Sequence, residues 1–394
     1  MNEIAADSSR SSRPSLLLIA LAYVGFVSLG LPDAVIGIAW PSVRDRFALH
    51  QGSVGLVFVA SGIGYFVSSF LSGRLSHILG IGLLLATSTA VVASAMFGFA
   101  FSPVWGLFVF CGVVHGLGSG AIDAGLNGYA AHSLSARHMN WLHACYCLGA
   151  MLGPLLMTAV LADERPYYVG YAVVGGVMST LAVVFLVTGP SWGTASTTVD
   201  HADGRISSWT ALRHSLVVLS MVLFFLYTGL EVAISQWTYT VLTESRGVRH
   251  STAGIAVGFF WGSLGLGRVI FGLVADRVGI DRLLRCCLAA ACAGAVLFAL
   301  PLDAPVAFAG LALAGIGLAP VFPCLMTRTP QRMGTQLSAH AVGFQVGAAM
   351  IGAAAVPGAL GLLAQQSGLR SVPIGIAAVA MAVWLLHEAL VRRD

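Results

Sequence analysis

The 394-residue sequence predicts an all-α integral membrane protein, with twelve transmembrane helices in two six-helix bundles. Three observations predict it. Hydrophobic residues make up 57% of the chain and charged residues only 9%, with a mean hydropathy of +0.87, whereas a soluble globule carries about 25% charged residues. Apolar segments of about 20 residues, each long enough to cross a ~30 Å hydrocarbon core as a helix, recur from end to end. Finally, sliding the chain over itself by 199 positions superposes eight glycine pairs (Gly30/Gly229, Gly55/Gly254, Gly73/Gly272, Gly80/Gly279, Gly116/Gly315, Gly118/Gly317, Gly153/Gly352 and Gly176/Gly375), where composition alone gives roughly three.

The spans are expected at residues 15–41, 52–72, 79–101, 104–130, 139–162, 167–189, 213–243, 251–272, 280–300, 304–327, 336–364 and 370–391. All 20 basic residues are arginine, and they mark the ends of the spans in order. Arg10 and Arg13 precede the first span, and Arg44 and Arg46 follow it. Arg74 lies after the second, Arg137 after the fourth, Arg165 after the fifth, and Arg205 and Arg213 between the sixth and seventh. Arg246 and Arg249 follow the seventh span, Arg277, Arg282 and Arg285 the eighth, Arg328 and Arg332 the tenth, Arg370 the eleventh, and Arg392 and Arg393 the last. With both termini inside, thirteen arginines are cytoplasmic, six are outside, and Arg268 lies within a span. The positive-inside rule therefore assigns both termini to the cytoplasm, which requires an even number of spans. The net charge of +4 follows from this topology and not from a nucleic-acid partner.

The polar start MNEIAADSSRSSRPS runs into a full-length span, with no short apolar region and small-residue cleavage site, so the first span is expected to remain as an anchor. Residues 1–189 are expected to form the first bundle and 213–394 the second. Between them, the Gly/Ser/Thr-rich stretch 190–212, with Asp200, His201, Asp203 and Arg205, reads as a cytoplasmic linker. Two parallel six-span repeats are the plan of alternating-access carriers, whose substrate sits between the halves near the midplane. Many of the 47 glycines lie at helical spacing, as in Gly112, Gly116, Gly120 and in Gly343, Gly347, which lets helices approach closely in lipid.

Three carboxylates interrupt the apolar spans: Asp33, Asp123 and Glu231. An ionised side chain at bilayer depth costs several kcal/mol, so each marks a site where a cavity, a partner or a proton compensates. His115, Ser119, Asp123 and Asn127 follow one another at i, i+4 and so share a stripe of the fourth span. Asp123 lies about 13 Å below the cytoplasmic loop at ~1.5 Å per residue, near the midplane, where closing the site desolvates it and couples cation binding to substrate binding. Asp33 follows Pro32, whose ring frees the carbonyl of Ser28. A carboxylate beside a kink suits a proton or sodium, though an interfacial position near the outer end is equally open. Glu231 falls one residue out of register with Asp33 in the second half. It reads either as a cavity residue with Arg268 as partner or as an ion pair holding the seventh span to the eighth. His143 could titrate or hydrogen-bond a hydroxyl, Trp237, Tyr239 and Phe344 could form an aromatic platform, and Gln345 could offer an amide. His340 and Tyr146 are weaker candidates.

Between spans eight and nine, GRVIFGLVADRVG carries Gly267, Arg268, Gly272, Asp276, Arg277 and Gly279. This resembles the loop signature of the major facilitator superfamily, whose small residue permits a tight helix exit and whose acidic and basic members latch one conformation. The resemblance implies Gly272, Asp276 and Arg277 as a conformational latch. The matching first-half loop, Gly73 to Gly80, keeps both glycines but has His77 and Ile78 at the acidic and basic places, so a latch there is weakened.

GLPDAVIGIAWPSVRDRF in span one and GLGSGAIDAGLNGYAAHSLSARHMNWLHACYCLGAMLGPLL in spans four and five look like the fucose:proton symporter and sodium-dependent glucose transporter branch of that superfamily. That resemblance implies Asp33 and Asp123 as coupling-cation residues, with Glu231 a further candidate from its place in the repeat. It implies Asn127, Asn140 and His143 as sugar contacts, to which Trp237, Phe344 and Gln345 add an aromatic and amide surface. Asp123 replaces the glutamate of the fucose pattern and His143 its glutamine, which leans toward the glucose-transporter side. The expected activity is secondary active, cation-coupled symport of a sugar or similar polar solute, with a proton ahead of sodium. Gly149, Gly153 and Pro154 also form GxxxGP, part of an antiporter signature, which keeps a proton-coupled drug or metabolite efflux pump as the alternative; Leu156 and Met157 stand where that signature continues with glycines. A sensor or scaffold that kept the carrier fold is a third reading, opposed by the three intramembrane carboxylates and the lack of a long soluble domain.

No enzymatic constellation emerges, and a GxxxxGK[ST] nucleotide loop is impossible without lysine, so transport driven directly by ATP has no support in the sequence. The seven cysteines (Cys111, Cys145, Cys147, Cys286, Cys287, Cys292, Cys324) lie within or at the ends of spans without metal-site spacing and read as small apolar packers. Neither a cofactor nor a metal is therefore expected. The expected partners are a small polar substrate, a coupling cation and the lipid bilayer, with a monomer in the bacterial inner membrane as the working unit.

Overall fold

The computed structural model describes residues 16–134, 136–192 and 208–393. The linker residues Asp200, His201, Asp203 and Arg205 and the side chains of Asn140 and Asp276 lie outside the described set.

Among the described residues, twelve helices are long and apolar enough to cross a membrane. In chain order they are α1 (Leu16–Arg46), α2 (Gln51–Leu79), α3 (Ile81–Phe101), α4 (Trp105–Ala130), α5 (Trp141–Ala162), α6 (Tyr167–Trp192), α7 (Ser215–Ser245), α8 (His250–Val274), α9 (Ile280–Ala299), α10 (Ala304–Gly334), α11 (His340–Ser367) and α12 (Ser371–Val391). They form two six-helix bundles, as the composition and repeat predict. Several helices run past the expected ends, α1 to Arg46 and α10 to Gly334, because polar residues at the bilayer surface can continue a helix that hydropathy alone stops.

The glycine repeat maps onto matching helix contacts. Gly30 on α1 and Gly153 on α5 face each other's helices, and their counterparts Gly229 on α7 and Gly352 on α11 do the same. Gly116 on α4 lies so close to α2 that a Cβ there would sit 1.9 Å from the Ser61 carbonyl oxygen; Gly315 on α10 meets the Phe260 carbonyl of α8 in the same manner. Gly118 and Gly317 carry the corresponding α4–α3 and α10–α9 approaches. Where packing and not hydrophobic burial drives helix association, removing a side chain is what brings the backbones together. Gly80 and Gly279, with φ of 72° and 85°, make the tight α2–α3 and α8–α9 joins that a Cβ would strain. Gly149 and Gly153 pack against the backbone of α1 at Val27 and Leu31, which gives the GxxxGP fragment a packing role.

The bundles meet along two seams. In one, α5 packs on α8, with Gly254 against Thr158, Gly258 against Leu155 and Gly265 against Cys147. In the other, α2 packs on α11, with Gly55 against Gly358 and Gly52 against Gly361. Between the seams lies a cavity of about 1020 Å³, lined from mid-depth down to Leu134, Met139, Gly272, Ile280 and Thr327. These residues sit at the helix ends on the face that carries both termini, so the cavity opens there. On the opposite face α1 closes on α7: Gly37 packs on the backbone of Ser235 and Gln236, and Arg44 donates from Nη1 to Glu244 Oε2 at 2.9 Å. Glu244 also accepts from Gln51 Nε2 at 3.1 Å, and Gln51 Oε1 accepts from Trp40 Nε1 at 3.1 Å.

Candidate functional site

Asp33 reaches the cavity because α1 breaks beside it. Pro32 has no N–H for the Ser28 carbonyl, and at Ala34 (φ −95°, ψ −3°) the helix splits into Leu16–Asp33 and Val35–Arg46. Its Oδ2 accepts from the Tyr146 hydroxyl of α5 at 2.8 Å, and its Oδ1 lies 3.4 Å from His115 Nε2 on α4. His115 Nε2 in turn lies 3.3 Å from Ser119 Oγ. One turn on, Asp123 Oδ2 accepts from the Tyr65 hydroxyl of α2 at 2.5 Å, and Asn127 Nδ2 donates to Asp123 Oδ1 at 2.8 Å and to its carbonyl at 3.0 Å. The polar stripe of α4 thus faces the cavity, and His115, Ser119, Asp123 and Asn127 all line it. Among the described residues no guanidinium is within ion-pair distance of either aspartate.

Glu231 sits in a different environment. Its Oε2 accepts from the Tyr227 hydroxyl one turn earlier on α7 at 2.5 Å, and its Oε1 lies 3.6 Å from Arg268 Nη2 on α8. Arg268 crosses between the bundles: Nη1 donates to the His143 carbonyl and to Cys147 Sγ on α5, each at 3.2 Å. Glu231 thus lines the cavity and also lies within ion-pair distance of α8. His143 lines the cavity too, its ring edge-on to Phe26 at 5.5 Å. The side chain of Asn140 is not among those described.

The other predicted contacts lie elsewhere. Trp237 is fully buried against Gly361, and its indole N–H donates to the Pro357 carbonyl at 3.0 Å, so it fixes α7 on α11. Gln345 is buried and exchanges hydrogen bonds with Thr329 Oγ1 at 3.0 and 3.1 Å, which ties α11 to α10. Phe344 packs on a satellite cluster of Ala211, Val217, Leu337 and Ala341. None of these three is among the residues that line the cavity. At its mouth, Gly272 lines the wall and Arg277 is exposed.

Tyr65, Tyr227 and Trp261 escaped sequence reasoning, and Tyr146 stood there only as a weaker candidate. Tyr65 is 58 residues from the aspartate it serves, and no local pattern joins them. Tyr146, which bonds Asp33, also stacks edge-on with Trp261 of α8 at 6.0 Å across the bundles, and Trp261 Nε1 donates to Ser235 Oγ at 2.8 Å. Only Tyr227 had a readable signal, its i, i+4 spacing to Glu231.

Two six-helix bundles around a central cavity, its mostly apolar wall set with polar and charged side chains and open on one membrane face, define a solute carrier. The Major Facilitator Superfamily model matches residues 22–357, and the chain belongs to that family. The sodium-dependent glucose transporter 1 of Homo sapiens is 23% identical over 60% of this chain and 52% of its own length. The glucose/mannose transporter GlcP of Bacillus subtilis is 22% identical over 77% of this chain and 78% of its own. Among solved structures, a point mutant of the nucleoside transporter NupG superposes with a TM-score of 0.78 at 13% identity, covering 95% of this chain and 99% of that one. At that identity the likeness concerns the fold.

Proposed function

We propose that this transporter is a cation-coupled symporter of a sugar or similar polar solute, with Asp33 and Asp123 as the coupling residues. The observation that carries the reading is the contrast among the three carboxylates. Glu231 has Arg268 beside it, whereas among the described residues Asp33 and Asp123 are held only by phenol, amide and imidazole groups. A carboxylate closed into a low-dielectric site without a fixed countercharge must take up a proton or a metal cation, and that uptake is the coupling step. The relatives named for glucose support a sugar as the solute; Asn127, bonded to Asp123, and His143, elsewhere on the cavity wall, are placed to meet its hydroxyls. A proton is favoured over sodium. Residues 1–189 and 213–394 form the rocking units, joined by a cytoplasmic linker over 190–212, with both termini inside the bacterial inner membrane, so the cavity faces the cytoplasm.

The test is uptake of radiolabelled sugars into proteoliposomes under imposed proton or sodium gradients. Accumulation driven by one gradient supports the reading; transport indifferent to both overturns the coupling. The Asp123→Asn variant should lose accumulation against a gradient and keep sugar counterflow. Full accumulation by that variant would remove Asp123 from the coupling role.

A further inference from the structure

We infer that Glu231 and Arg268 are the second bundle's substrate clamp, built for an uncharged polyhydroxylated ring, and that Glu231 takes no part in cation coupling. This deepens the sugar-symport reading and rests on it.

The geometry is an open donor–acceptor pair. Glu231 Oε1 and Arg268 Nη2 are 3.6 Å apart, beyond hydrogen-bond distance but within ion-pair range. Tyr227 occupies the other carboxylate oxygen, and Nη1 of Arg268 is spent on the His143 carbonyl and Cys147. Oε1 is left as an acceptor and Nη2 as a donor toward the cavity, whereas Nε is itself buried, out of a solute's reach in this state, with no partner among the described residues. Each side chain is nine-tenths buried, with 10% exposure, and both line the cavity.

A hydroxyl group is both donor and acceptor, and a pair of neighbouring hydroxyls fits a carboxylate oxygen and a guanidinium edge at once. An anion would gain from Arg268 but face Glu231, and a cation would meet the reverse; the pair sums to no net charge and selects a neutral molecule. Trp261 and Tyr146, packed edge to face, also line the cavity, as does Ser235, held by the Trp261 indole. Aromatic faces beside fixed polar groups supply the apolar contact that the C–H surface of a sugar ring makes. Because Arg268 also bonds α5 of the first bundle, the substrate held by this clamp touches the groups that join the two halves.

The test separates binding from coupling. Purified transporter would be assayed for glucose, mannose, a uronic acid and an amino sugar by equilibrium binding and by counterflow in proteoliposomes, with gradient-driven accumulation measured in parallel. Glu231→Gln and Arg268→Gln should each weaken binding of the neutral sugar about tenfold or more and slow counterflow in proportion, with the cation-to-sugar ratio unchanged. Removing one member leaves the other as an uncompensated buried charge that can unfold the protein, so the double variant E231Q/R268Q, neutral and of similar shape, is the control. Weakened binding in a monodisperse double variant supports the clamp; wild-type binding there overturns it. Loss of accumulation with counterflow intact in Glu231→Gln also overturns it and returns Glu231 to the coupling cation. Preference for the uronic acid or the amino sugar over the neutral sugars refutes the charge argument. Failure of the wild-type protein to bind or move any of the four refutes the sugar reading itself, a result distinct from the others.

Discussion

Replacing Glu244 with alanine should open the outer face. Glu244 is where the second bundle holds the first on the closed side: it accepts from Arg44 at 2.9 Å and from Gln51 at 3.1 Å. The side chains are 18% exposed for Arg44 and 28% for Glu244, so each bond falls between the exposed-pair range of about 0.2–1 kcal/mol and the ~1.5–3 kcal/mol of a buried charged hydrogen bond. Arg44 keeps Asp45 at 2.7 Å, so no orphaned charge adds to the cost. We place the loss at about 1–2 kcal/mol, and because it falls only on the outward-closed state, it shifts the outward-to-inward ratio by about 5–30-fold. Spin labels at Asp163 and Arg370, on the outer loops of the two bundles, would report the ratio by pulsed electron resonance, with the exposed Cys286 replaced by serine. The long-distance population should grow by that factor. Unchanged distance distributions in the variant would show that this network does not hold the outer seam.

Other predictions test the packing and the reassigned residues. Gly116→Ala places a Cβ 1.9 Å from the Ser61 carbonyl and should lower the unfolding temperature by several degrees, an overpacking cost of about 1–3 kcal/mol, whereas Gly62→Ala, which meets open space, should change it little. Trp237→Phe leaves the Pro357 carbonyl without its indole donor and should cost about 1–2 kcal/mol of stability, with the sugar KM unchanged. Gln345→Leu, which breaks the exchange with Thr329, should behave in the same way; a raised KM in either variant would return that residue to the substrate site.

The span count, the repeat and the polar stripe of α4 were legible because each is carried by local pattern: hydropathy over one helix length, glycines at a fixed offset, and i, i+4 spacing. The cavity partners were not, because a helix in lipid gives no periodic signal of which apolar face meets another helix. Tyr65 reads as an ordinary span aromatic and Tyr146 only as a weak candidate until α2 and α5 bring them to Asp123 and Asp33. Trp237, Phe344 and Gln345 failed in the opposite sense. Polar and aromatic side chains in spans suit a ligand and a helix seam equally well, and here α11 and its neighbours satisfy them.

The repeat is preserved in backbone contacts and broken in chemistry, and that asymmetry assigns the work. Shifted by 199 positions, Asp123 falls on Phe322 and Asn127 on Met326, both of which line the cavity as apolar walls of α10. Asp33 falls on Val232, beside Glu231, and Ser69 of α2 falls on Arg268. The first bundle therefore carries two carboxylates without a fixed cation, and the second carries one carboxylate with a fixed cation supplied. A cation-coupled carrier, as proposed here, needs one group whose charge changes during the cycle and one whose contacts hold the cargo in both states. A carboxylate already neutralised by a guanidinium gains little from a second cation, while an unneutralised one cannot close into the membrane without one. On the proposed reading, coupling belongs to the first bundle and recognition to the second because the single intramembrane arginine stands in the second.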